Sequence, residues 1–157
     1  MESGEFRRRH GLPTHPPYQD AMHEARALLV REHLPPADTI VDLGGASSSY
    51  EGGALLEMGY RHRPREITIV DLPPDGRFGH GEQERRASLT TRSGVKVRWL
   101  YGSMTDLSAI PSAGTDMVWS GQSIEHVSEA EADLVCAEAY RVLSRADGCA
   151  RTHRTRP

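Results

Sequence analysis

Aromatic side chains are scarce, at 6% of the 157 residues, and there are only two cysteines, Cys136 and Cys149. Two cysteines without C-x-x-C spacing build neither a disulfide framework nor a redox pair. They fit a reduced, cytoplasmic setting. No apolar run approaches the roughly 18 residues of a membrane-spanning helix, so no membrane span is expected. Arg7, Arg8 and Arg9 are not followed by the apolar stretch of a secretory signal. A surplus of basic charge is also lacking. The net charge is −3 and the isoelectric point is near 6.2, which gives no electrostatic footprint for nucleic acid or an anionic membrane. Arginines gather only at the ends, at residues 7 to 9 and at Arg145, Arg151, Arg154 and Arg156, where they read as solvated tails. Eight histidines are present, but none stands in a tight ligand spacing such as H-E-x-x-H, so no metal site is expected.

What is there suits one globular domain. The apolar fraction is 37%, and the length affords a single core. Residues 1–17 are polar, basic and rich in Pro and His, and read as a loose lead-in. From Tyr18 to His33, Ala21, Met22, Ala25, Leu28 and Leu29 recur at helical spacing until Pro35 and Pro36. Thr39 to Leu43 reads as a buried strand, Gly44 to Ser49 as a turn and Gly53 to Tyr60 as a short helix. Glu66 to Leu72 is β-branched and strand-like, and Pro73 and Pro74 end it. Asp75 to Gly94 reads as loop or frayed helix. Val95 to Tyr101 and Thr115 to Ser120 are further strands. Glu129 to Leu143 is an amphipathic helix with Ala132, Val135, Cys136, Ala139, Val142 and Leu143 on one face. Strands alternating with helices or loops predict an α/β fold with a parallel sheet and crossover connections.

Two strand ends carry the chemistry. Val41-Asp42-Leu43-Gly44-Gly45-Ala46-Ser47 places a carboxylate before a small-residue turn, where a backbone can approach a ligand closely. The plainer reading is an ordinary turn capped by Asp42. Ile69-Val70-Asp71-Leu72 places a second carboxylate at a strand end, where it can accept both hydroxyls of a ribose. The plainer reading there is a turn cap before Pro73. Dinucleotide binding would need G-x-G-x-x-G after the strand, and Gly44-Gly45-Ala46-Ser47-Ser48-Ser49 satisfies only its first position.

Taken in order, Asp42-Leu43-Gly44, Asp71, Tyr101-Gly102-Ser103-Met104-Thr105-Asp106-Leu107, Asp116-Met117-Val118 and Ser120 to Val127 resemble class I S-adenosylmethionine-dependent methyltransferases of the methyltransferase-11-like type. The resemblance runs from Asp38 to Leu143. It implies a Rossmann-like, doubly wound, mostly parallel α/β sheet over residues 18–143, with S-adenosyl-L-methionine as cofactor. It also assigns roles. Gly44, Gly45 and Ala46 would contact the methionine part, with Asp42 orienting the turn. Asp71, followed by Leu72, would hold the ribose. Ser103 and Met104 would flank the adenine. Ser120, Gly121 and Gln122 would line the cleft between cofactor and acceptor. Glu125-His126-Val127 would open the next helix; read from its own chemistry beside the expected cleft, His126 is a candidate general base near neutral pH, the plainer reading being a helix N-terminal residue held by packing or a hydrogen bond.

Three positions depart from the family's pattern. Ala46 and Ser48 stand where the turn commonly has its later glycines, and Ser103 stands where Asp is common. The tail, residues 144–157, lacks the apolar strand that follows in the family, so the expectation is a truncated or frame-shifted product whose C-terminal strands are missing or degraded. The implied function is methyl transfer to a small-molecule acceptor. The alternative is a remnant that binds the cofactor without catalysis.

Overall fold

The computed structural model describes residues 17–47, 49–73 and 87–143. The lead-in up to residue 16, Ser48, most of the polar stretch after Leu72 and the expected aberrant tail lie outside the described residues.

The described elements run α1 (Pro17–Glu32), β1 (Thr39–Leu43), α2 (Ala54–Glu57), β2 (Glu66–Asp71), β3 (Ser88–Thr90), β4 (Lys96–Tyr101), β5 (Met117–Ser120), a 3-10 turn (Ile124–His126) and α3 (Glu129–Val142). They form one five-stranded sheet in the order β3-β4-β2-β1-β5. β4, β2, β1 and β5 are parallel, and β3 runs antiparallel to β4 at the edge. The fold is therefore the Rossmann-like, mostly parallel α/β sheet expected.

Alternation along the strands divides the core between the two faces of the sheet. Ile40, Ile67, Ile69, Val97, Trp99 and Met117 face Val30 of α1, Leu55 of α2 and Tyr60. Val41, Leu43 and Val70 face Leu107, Ile110 and the α3 residues Val135 and Val142. Helices thus cover both faces, which is why the central strands read as continuous apolar runs. Tyr60 locks the exit from α1: its hydroxyl donates to the Pro35 carbonyl at 2.7 Å and accepts from Ala37 N–H at 3.1 Å.

Several expected boundaries move. The helix expected over Gly53 to Tyr60 is a single turn, because Gly53 enters it at φ 88° and Gly59 leaves it at φ 88°. The stretch expected as loop or frayed helix contains β3, whose Leu89 is half-buried against the core. Three residues are too few for a periodicity to show. The strand expected from Thr115 begins at Met117, because the preceding side chains are tied to β1. Thr115 Oγ1 donates to the Thr39 carbonyl at 2.9 Å, and Asp116 Oδ2 accepts from Thr39 N–H at 2.8 Å.

The apolar positions that marked α1 are not its inner face. Met22 is 60% exposed, Leu28 and Leu29 are also exposed, and the helix docks through Val30 with half-buried Arg26 and Ala27. Periodicity reports one helix in isolation; the sheet it packs on selects the stripe. In α3, Val135 and Val142 are buried and Ala132 and Ala139 half-buried, but Cys136 is exposed. A capping box starts that helix: Ser128 Oγ accepts from Glu131 N–H at 3.3 Å while Glu131 Oε2 accepts from Ser128 N–H at 2.8 Å. At its end Leu143 makes an isolated parallel bridge to Thr115, on the outer side of β5.

Candidate functional site

Parallel register brings four strand ends to one edge. Leu43 pairs with Val70 and with Ser120, and Asp71 pairs with Tyr101. The chain therefore leaves the sheet at Gly44, Leu72, Gly102 and Gly121 side by side, and the carboxyl edge of an open α/β sheet is where ligands bind. Asp42, Gly44, Gly45, Ala46, Asp71, Leu72, Ser103, Met104, Ser120 and Gln122 all fall on or just beyond this edge.

The glycine turn is held from below and from both sides. Gly44 N–H donates to the Val70 carbonyl at 2.7 Å, and Ala54 N–H donates to the Gly45 carbonyl at 2.7 Å. Gly44 has φ +68°, and a Cβ there would come within 2.4 Å of Ser123 Cβ. That conformation and that contact both require glycine. At Gly45 a Cβ would fall 2.1 Å from the Asp42 carboxyl carbon. The two glycines are thus required by neighbouring side chains as well as by the turn.

Asp42 lies beneath the turn, 2% exposed. Burial pushes its carboxyl up to about 7, against the pull of the Leu55 amide bonded to it; the negative charge of Asp71 adds to the rise. Its Oδ2 is buried without a hydrogen-bond partner among the described residues. Asp71, half-buried, accepts from Ala46 N–H at 3.0 Å through Oδ2 and from Leu72 N–H at 2.8 Å through Oδ1. It thereby ties the turn after β1 to the end of β2. Leu72 itself is 47% exposed.

The serines of the turn are clamped by Glu57 at the end of α2. Ser47 and Ser49 donate to its carboxylate at 2.6 and 2.5 Å, and Ser47 Oγ also accepts from Ser49 and Tyr50 N–H. These hydroxyls hold the Glu57 carboxyl below its usual range. Sequence reasoning missed Glu57, because a contact across ten residues has no local signature. Ser48, at the third glycine position, is outside the described residues.

Beyond β4, exposed Ser103 turns on itself, sharing a hydrogen bond of 2.7 Å with Thr105 Oγ1. Half-exposed Met104 packs against the Val41, Leu43 and Val70 cluster. A Cβ at Gly102 would meet nothing within 4 Å, so the backbone here borders open space. Beyond β5, Ser120 Oγ lies 2.7 Å from Ser123 Oγ, and Ser123 donates to the Leu43 carbonyl at 2.7 Å. Ser123, also missed from sequence, is buried and closes the edge between β1 and β5. Gln122 is exposed. His126 is exposed at the end of the 3-10 turn, three residues past Ser123, with its own N–H on the Ser123 carbonyl at 3.1 Å.

Among the described residues there is no group of three or more His, Cys, Asp or Glu placed to hold a metal ion, and no helix long and apolar enough to cross a membrane. Residues 51–148, more than half of the chain, match the family described as methyltransferase domain. The matched span begins after the glycine turn and takes in Asp71, Ser103, Met104, Ser120, Gln122 and His126. No curated protein matches the sequence.

Proposed function

The chain belongs to the methyltransferase domain family, and on that premise we propose that it binds S-adenosyl-L-methionine across the carboxyl edge of its sheet and methylates a small-molecule acceptor. The observation that carries this reading is Asp71, a carboxylate at the end of β2 that is already bonded to the glycine turn at Ala46 N–H, 3.0 Å away.

The residues fit the cofactor's chemistry. A carboxylate suits a ribose diol, which offers two donors and needs acceptors. The close-approach turn at Gly44 and Gly45 suits the amino-acid end, and the buried Asp42 beneath it suits that end's ammonium group. Open space at Gly102, with Met104 as an apolar wall, suits a flat adenine. Bound there, the cofactor would supply an electrophilic methyl group. The protein's own part is then to hold the acceptor in line and exclude water. Where the acceptor must lose a proton, exposed His126 is the base in this reading. Gln122 and Ser120 would face the acceptor. The cytoplasmic assignment rests on the low cysteine content and the lack of C-x-x-C spacing.

The test is calorimetric titration of the full chain with S-adenosylhomocysteine, alongside Asp71→Ala. Saturable binding that Asp71→Ala weakens by about tenfold or more is expected, in line with loss of a charge-assisted hydrogen-bond pair. A folded wild-type chain that binds nothing, or an Asp71→Ala variant that binds equally well, refutes the reading.

A further inference from the structure

The segment between β4 and β5 contains no helix, so its backbone groups must find partners elsewhere. It opens with a turn from Ser103 to Asp106, closed by Asp106 N–H on the Ser103 carbonyl at 3.1 Å. Among the described residues, the backbone is tied to the rest of the fold on either side of that turn. Ahead of it, Gly102 N–H donates to the Asp71 carbonyl at 3.0 Å. Behind it, both backbone polar groups of Leu107 go to one ion pair on α3. Leu107 N–H donates to Glu138 Oε2 at 2.8 Å, and Arg141 Nη2 donates to the Leu107 carbonyl at 2.8 Å. Arg141 Nη1 continues along the segment to the Ile110 carbonyl at 3.0 Å.

The pair is itself geometrically fixed. Arg141 donates from Nε to Glu138 Oε1 and from Nη2 to Glu138 Oε2, each at 2.7 Å, so fork meets fork. Both side chains are half-buried, which screens them less than a surface pair. The Leu107 side chain is buried against Val135 and Val142, so the anchored residue cannot swing into water when its polar partners are removed. Without the pair, two backbone groups beside this apolar cluster lose their bonds, and the segment must shift to wet them. The turn would keep its near anchor at Gly102 and lose its far one. We propose that Glu138 and Arg141 are positioning residues for the base-binding side of the ligand site, because they fix the turn that carries Ser103 and Met104. The inference rests on the methyltransferase reading, which places the adenine against that turn.

The test compares wild type, Arg141→Gln, Glu138→Gln and Ser128→Ala as full chains. Ser128→Ala removes the cap at the other end of α3 and so weakens the helix without touching Leu107. Each chain is titrated with S-adenosylhomocysteine and with 5′-methylthioadenosine, which keeps the base and ribose and lacks the amino acid. Arg141→Gln should weaken both ligands by the same factor, about fivefold or more, because binding must then order the turn. Glu138→Gln keeps an oxygen for Leu107 N–H but loses the ion pair, and should fall between. It carries the comparison if Arg141→Gln does not fold. Ser128→Ala should bind both ligands within about twofold of wild type. Arg141 and Glu138 variants that bind as wild type does overturn the proposal. So does a loss confined to S-adenosylhomocysteine, since that places the damage at the amino-acid end. An equal loss in Ser128→Ala also overturns it, because helix stability and not the anchor would then set affinity. All three results leave the cofactor site standing. A folded wild-type chain that binds neither ligand removes both the site and the positioning role.

Discussion

Asp42→Asn removes a charge from beneath the glycine turn while keeping the shape of the side chain and an acceptor for the Leu55 amide. The wild-type carboxyl is raised by burial from 3.8 to about 7. For an acid whose folded pKa is raised, the unfolded chain ionises first. Between the two values the native state therefore holds the extra proton, and stability falls as pH rises through that window. Above about 7 the loss is complete, and below 3.8 it vanishes. Each pKa unit corresponds to about 1.4 kcal/mol, so the ceiling of the effect is about 4 kcal/mol, a large part of the roughly 5–15 kcal/mol of a small domain. The assay is urea unfolding of wild type and Asp42→Asn at about pH 5 and about pH 8. Asp42→Asn should be the more stable protein at both, and its advantage should grow by about 3 kcal/mol between them. Glu57, Glu131 and Glu138, whose carboxyls are held below their usual 4.5, titrate below the assay range of about pH 5 to about pH 8, and all three are common to both proteins. A gap between the two proteins that stays constant from about pH 5 to about pH 8 would refute the argument that Asp42 is a buried acid.

Two further outcomes follow from the turn itself. Gly45→Ala would drive a methyl group to within 2.1 Å of the Asp42 carboxyl carbon. Thermal unfolding should register a loss of about 1–3 kcal/mol, the usual cost of overpacking, together with weakened S-adenosylhomocysteine binding. Unchanged stability would mean that the turn shifts freely. Glu57→Gln leaves one oxygen to accept from both Ser47 and Ser49, and cofactor affinity should fall several-fold. In wild type this clamp is present above pH 4.5 and is lost only as pH falls through the lowered Glu57 value. Wild-type affinity should therefore not change through Glu57 between about pH 5 and about pH 8, and a Glu57-dependent decline within that range would count against the clamp.

Much of the site was legible because its residues follow strand ends. An apolar run that stops at Asp42-Leu43-Gly44-Gly45, and another that stops at Asp71, announce both the strands and the chemistry in adjacent positions. Parallel register needs nothing more to bring them together. The same economy fails where a residue's role lies across the fold. Glu57 reaches Ser47 and Ser49 only because α2 folds back over the turn. Ser123 closes the β1–β5 edge through a partner eighty residues away in the chain. In α1 the pattern misled, since the apolar positions Met22, Leu28 and Leu29 face outward.

The sequence by itself determined the α/β class, the strand ends and the identity of the two carboxylates, because alternation and punctuation are local properties of a chain. Only the tertiary structure decided what those groups experience. Burial turned Asp42 into a weak acid, and the registry of β1 with β2 bonded Asp71 to the turn. The docking of α1 buried Val30 and left Met22, Leu28 and Leu29 exposed. Desolvation and pairing depend on which distant residues arrive at a point in space, and no window of adjacent residues records that.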